Sequence, residues 1–291
     1  MELIGSQKIW SYFEDQDSSA QASNQAIRAG KGHLVETYFE LAKKVAELQF
    51  RNREHVLVFR GQAKDYLTTT SKVRRSLIKA RIFRLEGRRI PSETVLEGRF
   101  KTLRRAEGEL LTEYVSANLV GSDQLKRQRI LRWAILQHYE VCGTPLLDVT
   151  HSLRIATSFA THNNDSTQAF LFILGVPNLS GAVTASSEAG LQIIRLSSAC
   201  PPDAIRPHIQ EGFLLGEYPE VSDFGVDSAY RYSEMDFGRR LVAKFRFNPK
   251  TFWKNENYPP ASDKALYPAG HRDPLLEIAK SIRSKLNSTK Q

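Results

Sequence analysis

The sequence predicts an α+β fold, with N-terminal helices followed by a mixed or antiparallel sheet and flanking helices. Three observations predict it. Apolar residues recur at helical spacing through much of the first half of the chain. Short apolar or alternating runs gather in the second half. The two kinds of segment do not alternate regularly, as a parallel βαβ sheet would require. With 291 residues, 41% of them hydrophobic, the chain can bury a core without a disulfide or metal staple. Two cysteines, Cys142 and Cys200, are too few for a disulfide framework. No apolar run approaches the ~20 residues of a membrane span. Met1 to Ile9 hold an acidic Glu2 and no apolar secretory core, so a reducing cytoplasm is the expected location.

Residues 1–31 read as a flexible N-terminal extension. Asp15 to Ala29 is rich in Ser, Gln, Asn and Ala, and Gly30-Lys31-Gly32 closes it. No strong linker divides the remainder, so residues 32–291 read as one α+β domain. Leu34, Tyr38, Leu41, Val45 and Leu48 trace one face of a helix, closed by Arg51-Asn52-Arg53-Glu54. His55 to Arg60 is β-branched and aromatic-rich, a strand ending at Gly61. Ser92 is a candidate N-cap for a helix running to about Asn118, with Val95, Phe100, Leu103, Leu110, Tyr114 and Ala117 as its stripe. Further helices cover roughly Ser122 to Tyr139 and Ser152 to His162. Ala169 to Val176 and Leu191 to Leu196 read as strands, with Gly212 to Leu215 a shorter one. From Arg240 to Phe247, Leu241, Ala243, Phe245 and Phe247 face one way, and Val242, Lys244 and Arg246 the other. Asn255 to Arg272 is a Pro- and Tyr-containing loop region, and Pro274 to Leu286 a last amphipathic helix.

The net charge of +9 is concentrated. Lys72 to Arg105 holds twelve Lys or Arg against three Glu, the whole of the excess. Lys72, Arg74, Arg75, Arg104 and Arg105 are therefore candidates to meet the phosphates of a nucleic acid, or an acidic protein. The same charges also suit a solvated helix face.

Searches for a P-loop, GxGxxG, HExxH or GxSxG find nothing, and the seven histidines show no paired metal-ligand spacing. No metal is expected. Three segments stand out. In Phe59-Arg60-Gly61-Gln62, an Arg at a strand end can fork two donors onto a phosphate, and Gly lets a ligand approach the backbone. An Arg paired with a carboxylate beside a turn Gly has the same signature. Gln137 to Thr150 runs from a helix end carrying His138 and Tyr139, through Gly143-Thr144-Pro145, to Asp148. That suits a shaped site, and equally a His138 bonded in the core with Asp148, Thr150 and Ser152 serving helix starts. Arg206 to Leu214 places Gln210 and Glu211 before a short strand, where they can enter a cleft or line a hairpin entry.

Together the three segments resemble the FRG domain family, named for its Phe-Arg-Gly motif. The likeness runs through Phe59-Arg60-Gly61-Gln62, Tyr66, the stretch ending at Arg75, and Gln137-His138-Tyr139. It continues through Thr144-Pro145, Leu147-Asp148, Ala156, Phe159 and Ala160, and then Gln210, Gly212 and Phe213. Glu140 stands where the family usually has Gly, and Leu146 where it often has Arg. The resemblance implies an ADP-ribosyltransferase-like layout with NAD as a substrate, and a role in phage defence or as a toxin. Arg60, with Gly61 and Gln62, would hold the phosphates or ribose. His138, Tyr139, Asp148, Thr150 and Ser152 would supply the second element of the cleft. Gln210 or Glu211 would fall near the third element of the ADP-ribosyltransferase layout, which carries its glutamate. If Gln210 holds that position, the usual carboxylate is missing. Glu211 replaces it only if it faces the cleft, and strand alternation would put the two on opposite faces. The other reading of the same residues is a nucleotide or nucleic-acid binding module without catalysis.

Overall fold

The computed structural model describes residues 4, 8–14, 16–68, 74–87, 89–178, 180–221, 236–254, 258–268 and 273–288. In chain order the N-terminal elements are β1 (Ile9–Ser11), β2 (Ala20–Ala22), α1 (Asn24–Ala29), β3 (His33–Leu34), α2 (Tyr38–Arg51) and β4 (Val56–Gln62). Then come α3 (Glu93–Ser116), α4 (Ser122–Arg127), α5 (Arg129–His138), β5 (Leu147–Thr150), α6 (Leu153–Thr161) and β6 (Ala169–Val176). Next follow β7 (Val183–Ser186), β8 (Leu191–Arg195), α7 (Leu196–Ala199), α8 (Ile205–Ile209) and β9 (Gly212–Glu217). The chain ends with β10 (Leu241–Phe247), α9 (Asp263–Leu266) and α10 (Pro274–Ser288). The class is α+β. No described helix is long and apolar enough to cross a membrane.

Where one continuous domain was expected, the chain divides into two compact units, each built from three segments. The first comprises Met1–Ile78, Val149–Leu179 and Asp236–Tyr267; the second comprises Lys79–Asp148, Ser180–Met235 and Pro268–Gln291.

In the first unit the strands lie in the order β3-β10-β6-β4, followed by the Val149–Thr150 half of β5. β3 runs parallel to β10 and the other pairs are antiparallel, so the sheet is mixed. β6 is buried along its whole length, which is why it reads as an unbroken apolar run. Helix α6 lies on β4, and Gly61 sets how closely. A Cβ on Gly61 would sit 1.7 Å from the Ala156 carbonyl oxygen and 3.0 Å from the Ala160 Cβ. The glycine that was expected to admit a ligand admits a helix.

The described part of residues 1–31 is built into this unit. Ser23 caps α1, and the Asn24 amide donates to the Gly238 and Leu241 carbonyls at 3.0 and 2.9 Å. Arg28 pairs with Asp236 and donates to the Ser76 carbonyl. The Tyr12 ring packs on His33 and Phe245. Polar side chains anchor this segment by finding distant carbonyls and a carboxylate. Its low hydrophobicity therefore said nothing about order.

In the second unit, α3 packs on α5 and α10 through residues such as Phe100, Leu103 and Leu110 on α3, Trp133 on α5, and Ile278 and Ile282 on α10. The buried Glu107 accepts from the Trp133 indole and from Arg129 Nε at 2.9 Å. Strands β9-β8-β7 form an antiparallel run. The single helix expected from Ser122 to Tyr139 is two. Gln128 leaves helical geometry (φ −109°, ψ 100°), and Arg132 Nη1 takes up the Leu125 and Lys126 carbonyls at 2.7 and 3.0 Å. A side-chain donor thus satisfies carbonyls that end a helix, as buried helix termini require.

Candidate functional site

The registers of β4, β6 and β10 decide what faces what. Arg60 lies opposite Phe172, and Phe172 opposite Lys244. Two residues on, Gln62 lies opposite Phe170, and Phe170 opposite Arg246. Rows two residues apart share a face, so Arg60, Gln62, Phe170, Phe172, Lys244 and Arg246 project from one side of the sheet. The row between them, Gly61, Leu171 and Phe245, projects from the other side, where α6 packs against Gly61. The Phe170 and Phe172 rings stack at 6.2 Å and 24°, between Arg60 and Gln62 on one flank and Lys244 and Arg246 on the other.

Lys244 is fully buried. Its ammonium donates to Asp65 Oδ2 at 2.7 Å and to Ser76 Oγ at 2.8 Å. A buried cation needs such partners, since burial without them costs several kcal/mol by the usual order of magnitude (~3–5). Nearby, burial lowers the pKa of the Arg28 guanidinium, opposed by Asp236 and reinforced by the like charges of Arg75 and Arg239. Arg28, Arg75 and Arg239 thus lie near Asp236, and Lys244 against Asp65, with Arg60 and Arg246 projecting from the same side of the sheet as Lys244. Among the buried atoms of the first unit that have no hydrogen-bond partner among the described residues are Gln62 Oε1, Asp65 Oδ1 and Arg75 Nε. Two are acceptors and one is a charged donor. A ligand offering both hydroxyl or amide donors and an anionic group would satisfy both kinds.

Thr150 pairs with Phe59, not with Arg60, and so belongs to the α6 side of the sheet. Its Oγ1 accepts from the Ser152 amide at 3.0 Å, and Ser152 Oγ caps α6 through the Ile155 amide. Both hydroxyls thus serve the start of a helix.

The remaining expected residues lie in the second unit. Gln137 Nε2 donates to Asp148 Oδ2 at 2.6 Å, and its Oε1 accepts from Thr144 Oγ1 at 3.0 Å. His138 Nδ1 is 4.0 Å from Asp148 Oδ1. Burial pushes the His138 pKa well below its ordinary value, helped by the Arg206 charge, so the imidazole is neutral. Gly212 is the point where the Gln137-His138-Tyr139 and Gln210-to-Phe213 segments meet. A Cβ on it would lie 3.4 Å from His138 Cε1 and 2.8 Å from Leu196 Cδ1. Tyr139 is a core residue whose hydroxyl donates to Asp273 Oδ2 at 2.8 Å. Burial and that carboxylate together drive its pKa upward.

Gln210 and Glu211 precede β9 but lie outside it, so strand alternation does not govern them. Gln210 is buried at the C-terminal cap of α8; Glu211 is exposed, with φ +45°. The end of a short helix separates the two.

The basic segment is divided between the units. Lys72 lies outside the described residues. Arg74 is exposed and Arg75 half-buried in the first unit. Arg104 and Arg105 are exposed on α3 in the second, where Arg105 Nη2 donates to the Lys285 carbonyl at 3.1 Å. Lys79, counted with them by sequence, is buried. Among the described residues no cluster of His, Cys, Asp and Glu is placed to hold a metal ion.

Lys244, Asp65 and Arg246 were not among the candidates read from sequence. Alternation did place Lys244 and Arg246 on one side of their strand, which was the only available signal. Lys244 and Asp65 are 179 residues apart, and nothing local joins them.

No curated protein and no solved structure matches this chain. Residues 55–169, from the start of β4 through α6 to the first residue of β6, match the family model of the FRG domain, and the chain carries an FRG domain over that span.

Proposed function

We propose that the sheet face bearing Arg60 holds a nucleotide, and that NAD is a substrate handled in the manner of an ADP-ribosyltransferase. The observation that supports this is the cross-strand register. It sets Arg60 and Gln62 beside Phe172 and Phe170, with Lys244 and Arg246 beyond. A guanidinium forks two donors onto a pyrophosphate, and the surplus of cations favours an anionic ligand. Gln62 Oε1 and Asp65 Oδ1 suit ribose hydroxyls or the nicotinamide amide as donors.

Breaking the bond between nicotinamide and ribose leaves the bonding pair with nicotinamide and positive charge on the ribose ring. A carboxylate near the ribose hydroxyls stabilises that charge, as in glycosidases. Asp65 offers one on the Arg60 unit, and Glu211 remains the carboxylate at the third motif. An acceptor, or water, then takes the ribose carbon. Consumption of NAD would suit a toxin or a phage-defence effector.

Purified protein incubated with NAD is expected to release nicotinamide. Losing one charged hydrogen-bonding partner should slow the Arg60→Ala variant by about 10- to 100-fold, the equivalent of roughly 1.5–3 kcal/mol. NAD bound but intact, with Arg60→Ala abolishing the binding, would leave a nucleotide-binding module and remove the catalytic half of the proposal. The exposed cations Arg104 and Arg105 favour testing nucleic acid in that case, by the dependence of its affinity on salt.

A further inference from the structure

The first unit holds a second feature that uses none of the residues of the Arg60 face. Tyr38 and Phe39 open α2, and Phe252 and Trp253 lie in the turn after β10. With Tyr258 and Lys254 they line a cavity of about 430 Å³. That volume falls within the range of roughly 300–1,000 Å³ typical of small-molecule sites. Tyr38 stacks on Trp253 at 5.0 Å and 19°, and lies 4.8 Å from the Tyr258 ring. Phe39 stands 5.7 Å from Tyr258 and is half exposed, an unusual cost for a phenylalanine at the first turn of a surface helix.

The walls are held from behind. The Trp253 indole N–H donates to Thr161 Oγ1 on α6 at 3.2 Å. Arg154 of α6 lies 5.2 Å over the Tyr258 ring, and its Nε donates to the Pro259 carbonyl at 3.0 Å. The Ala261 amide donates to Ser158 Oγ, also on α6, at 2.8 Å. Aromatic planes fixed by polar contacts on their far edges are preorganised to receive another plane.

The charges at the rim choose between ligands. A cation would enjoy the aromatic faces but meet Lys254, and among the described residues no carboxylate lines the cavity. A flat ring carrying a negative group meets both features favourably. We infer that this cavity is a stacking site for a nucleobase, with Lys254 placed to take the attached phosphate. Aromatic platforms beside cations bind bases in this way whether the base belongs to a free nucleotide or to a single strand.

The experiment measures binding of AMP, of an oligoadenylate of about eight residues, and of tetramethylammonium by titration calorimetry. The full-length protein is compared with Phe39→Ala, Lys254→Ala and Arg60→Ala. Phe39 and Lys254 project outward, so those variants are expected to fold. Phe39→Ala should weaken AMP or oligonucleotide binding by about tenfold. Lys254→Ala should weaken it by about threefold, and lower the salt slope of the oligonucleotide by about one. The losses in Phe39→Ala and Lys254→Ala should persist in the Arg60→Ala background, where the Arg60 face no longer contributes. Saturable AMP binding identifies a mononucleotide ligand; binding of the oligonucleotide alone identifies a strand. Three results would overturn the inference: no binding of either below about 1 mM, tighter binding of tetramethylammonium than of AMP, or AMP binding lost in Arg60→Ala while intact in Phe39→Ala. The last would place the nucleotide on the Arg60 face only.

Discussion

Gly61 and Glu140 occupy opposite situations, and each explains a feature of the FRG pattern. Gly61 has ordinary backbone geometry but no room, because the Ala156 carbonyl oxygen occupies the space of a Cβ. Glu140 has room but an unfavourable backbone, with φ +57° just after the α5 cap, where helices commonly end on glycine. The glycine usual in the family at that position is therefore the conformationally natural residue, and Glu140 is held in its place with a contact of 3.3 Å to Arg206 Nη2. Two substitutions should diverge in thermal melts. Gly61→Ala forces α6 off β4 and should cost on the order of 3 kcal/mol or more. Glu140→Gly should leave stability within about 1 kcal/mol of the parent, in either direction. Equal losses in the two would mean that close helix approach is not what Gly61 provides.

Elements were legible in the sequence where one face or one run carried the signal. The β6 run from Ala169 to Val176 and the α3 start at Ser92 are found where the residues put them. The Lys244 contacts were illegible, because an alternating strand with a lysine on its polar side looks solvated. Only the arrival of Asp65 and Ser76 makes burial of that side possible. The α4–α5 break was hidden for a similar reason. Gln128 is an ordinary helical residue, and the carbonyls freed there are taken up by Arg132.

His138 at the end of α5 couples the stability of the fold to pH. Its native pKa lies below that of the unfolded chain, near 6.5, so unfolding takes up a proton in acid. Stability from this group is complete above that pH and falls as pH drops below it. His33 and His55 are shifted the same way by burial, so the parent should lose stability steeply between about pH 6.5 and 5. In urea titrations, His138→Gln should flatten that slope by about one proton's share; an unchanged slope would mean that His138 is protonated in the native protein.

For the whole molecule, composition indicated a basic protein but misplaced the charge that bears on the site. The excess counted from Lys72 to Arg105 is shared between two units, and Lys79 within it is buried. The cations beside Arg60 in the strand register, Lys244 and Arg246, come from far away in the sequence, and Arg28, Arg75 and Arg239 of the same unit cluster with one another. They share one unit because β10 returns beside β6 after more than sixty residues of intervening chain. Motif spacing singled out Arg60 and Gln62 as candidates, but only the register of three strands shows what lies beside them.

The most direct measurement is the affinity of NAD for the protein at low and moderate salt, taken in parallel on the Arg60→Ala variant with its melting temperature checked. The parent should bind saturably and more weakly as salt rises, and affinity should fall at least about tenfold in a variant that melts like the parent. Equal affinity in the two proteins, or no binding by the parent, would contradict the assignment of the Arg60 face as the nucleotide site.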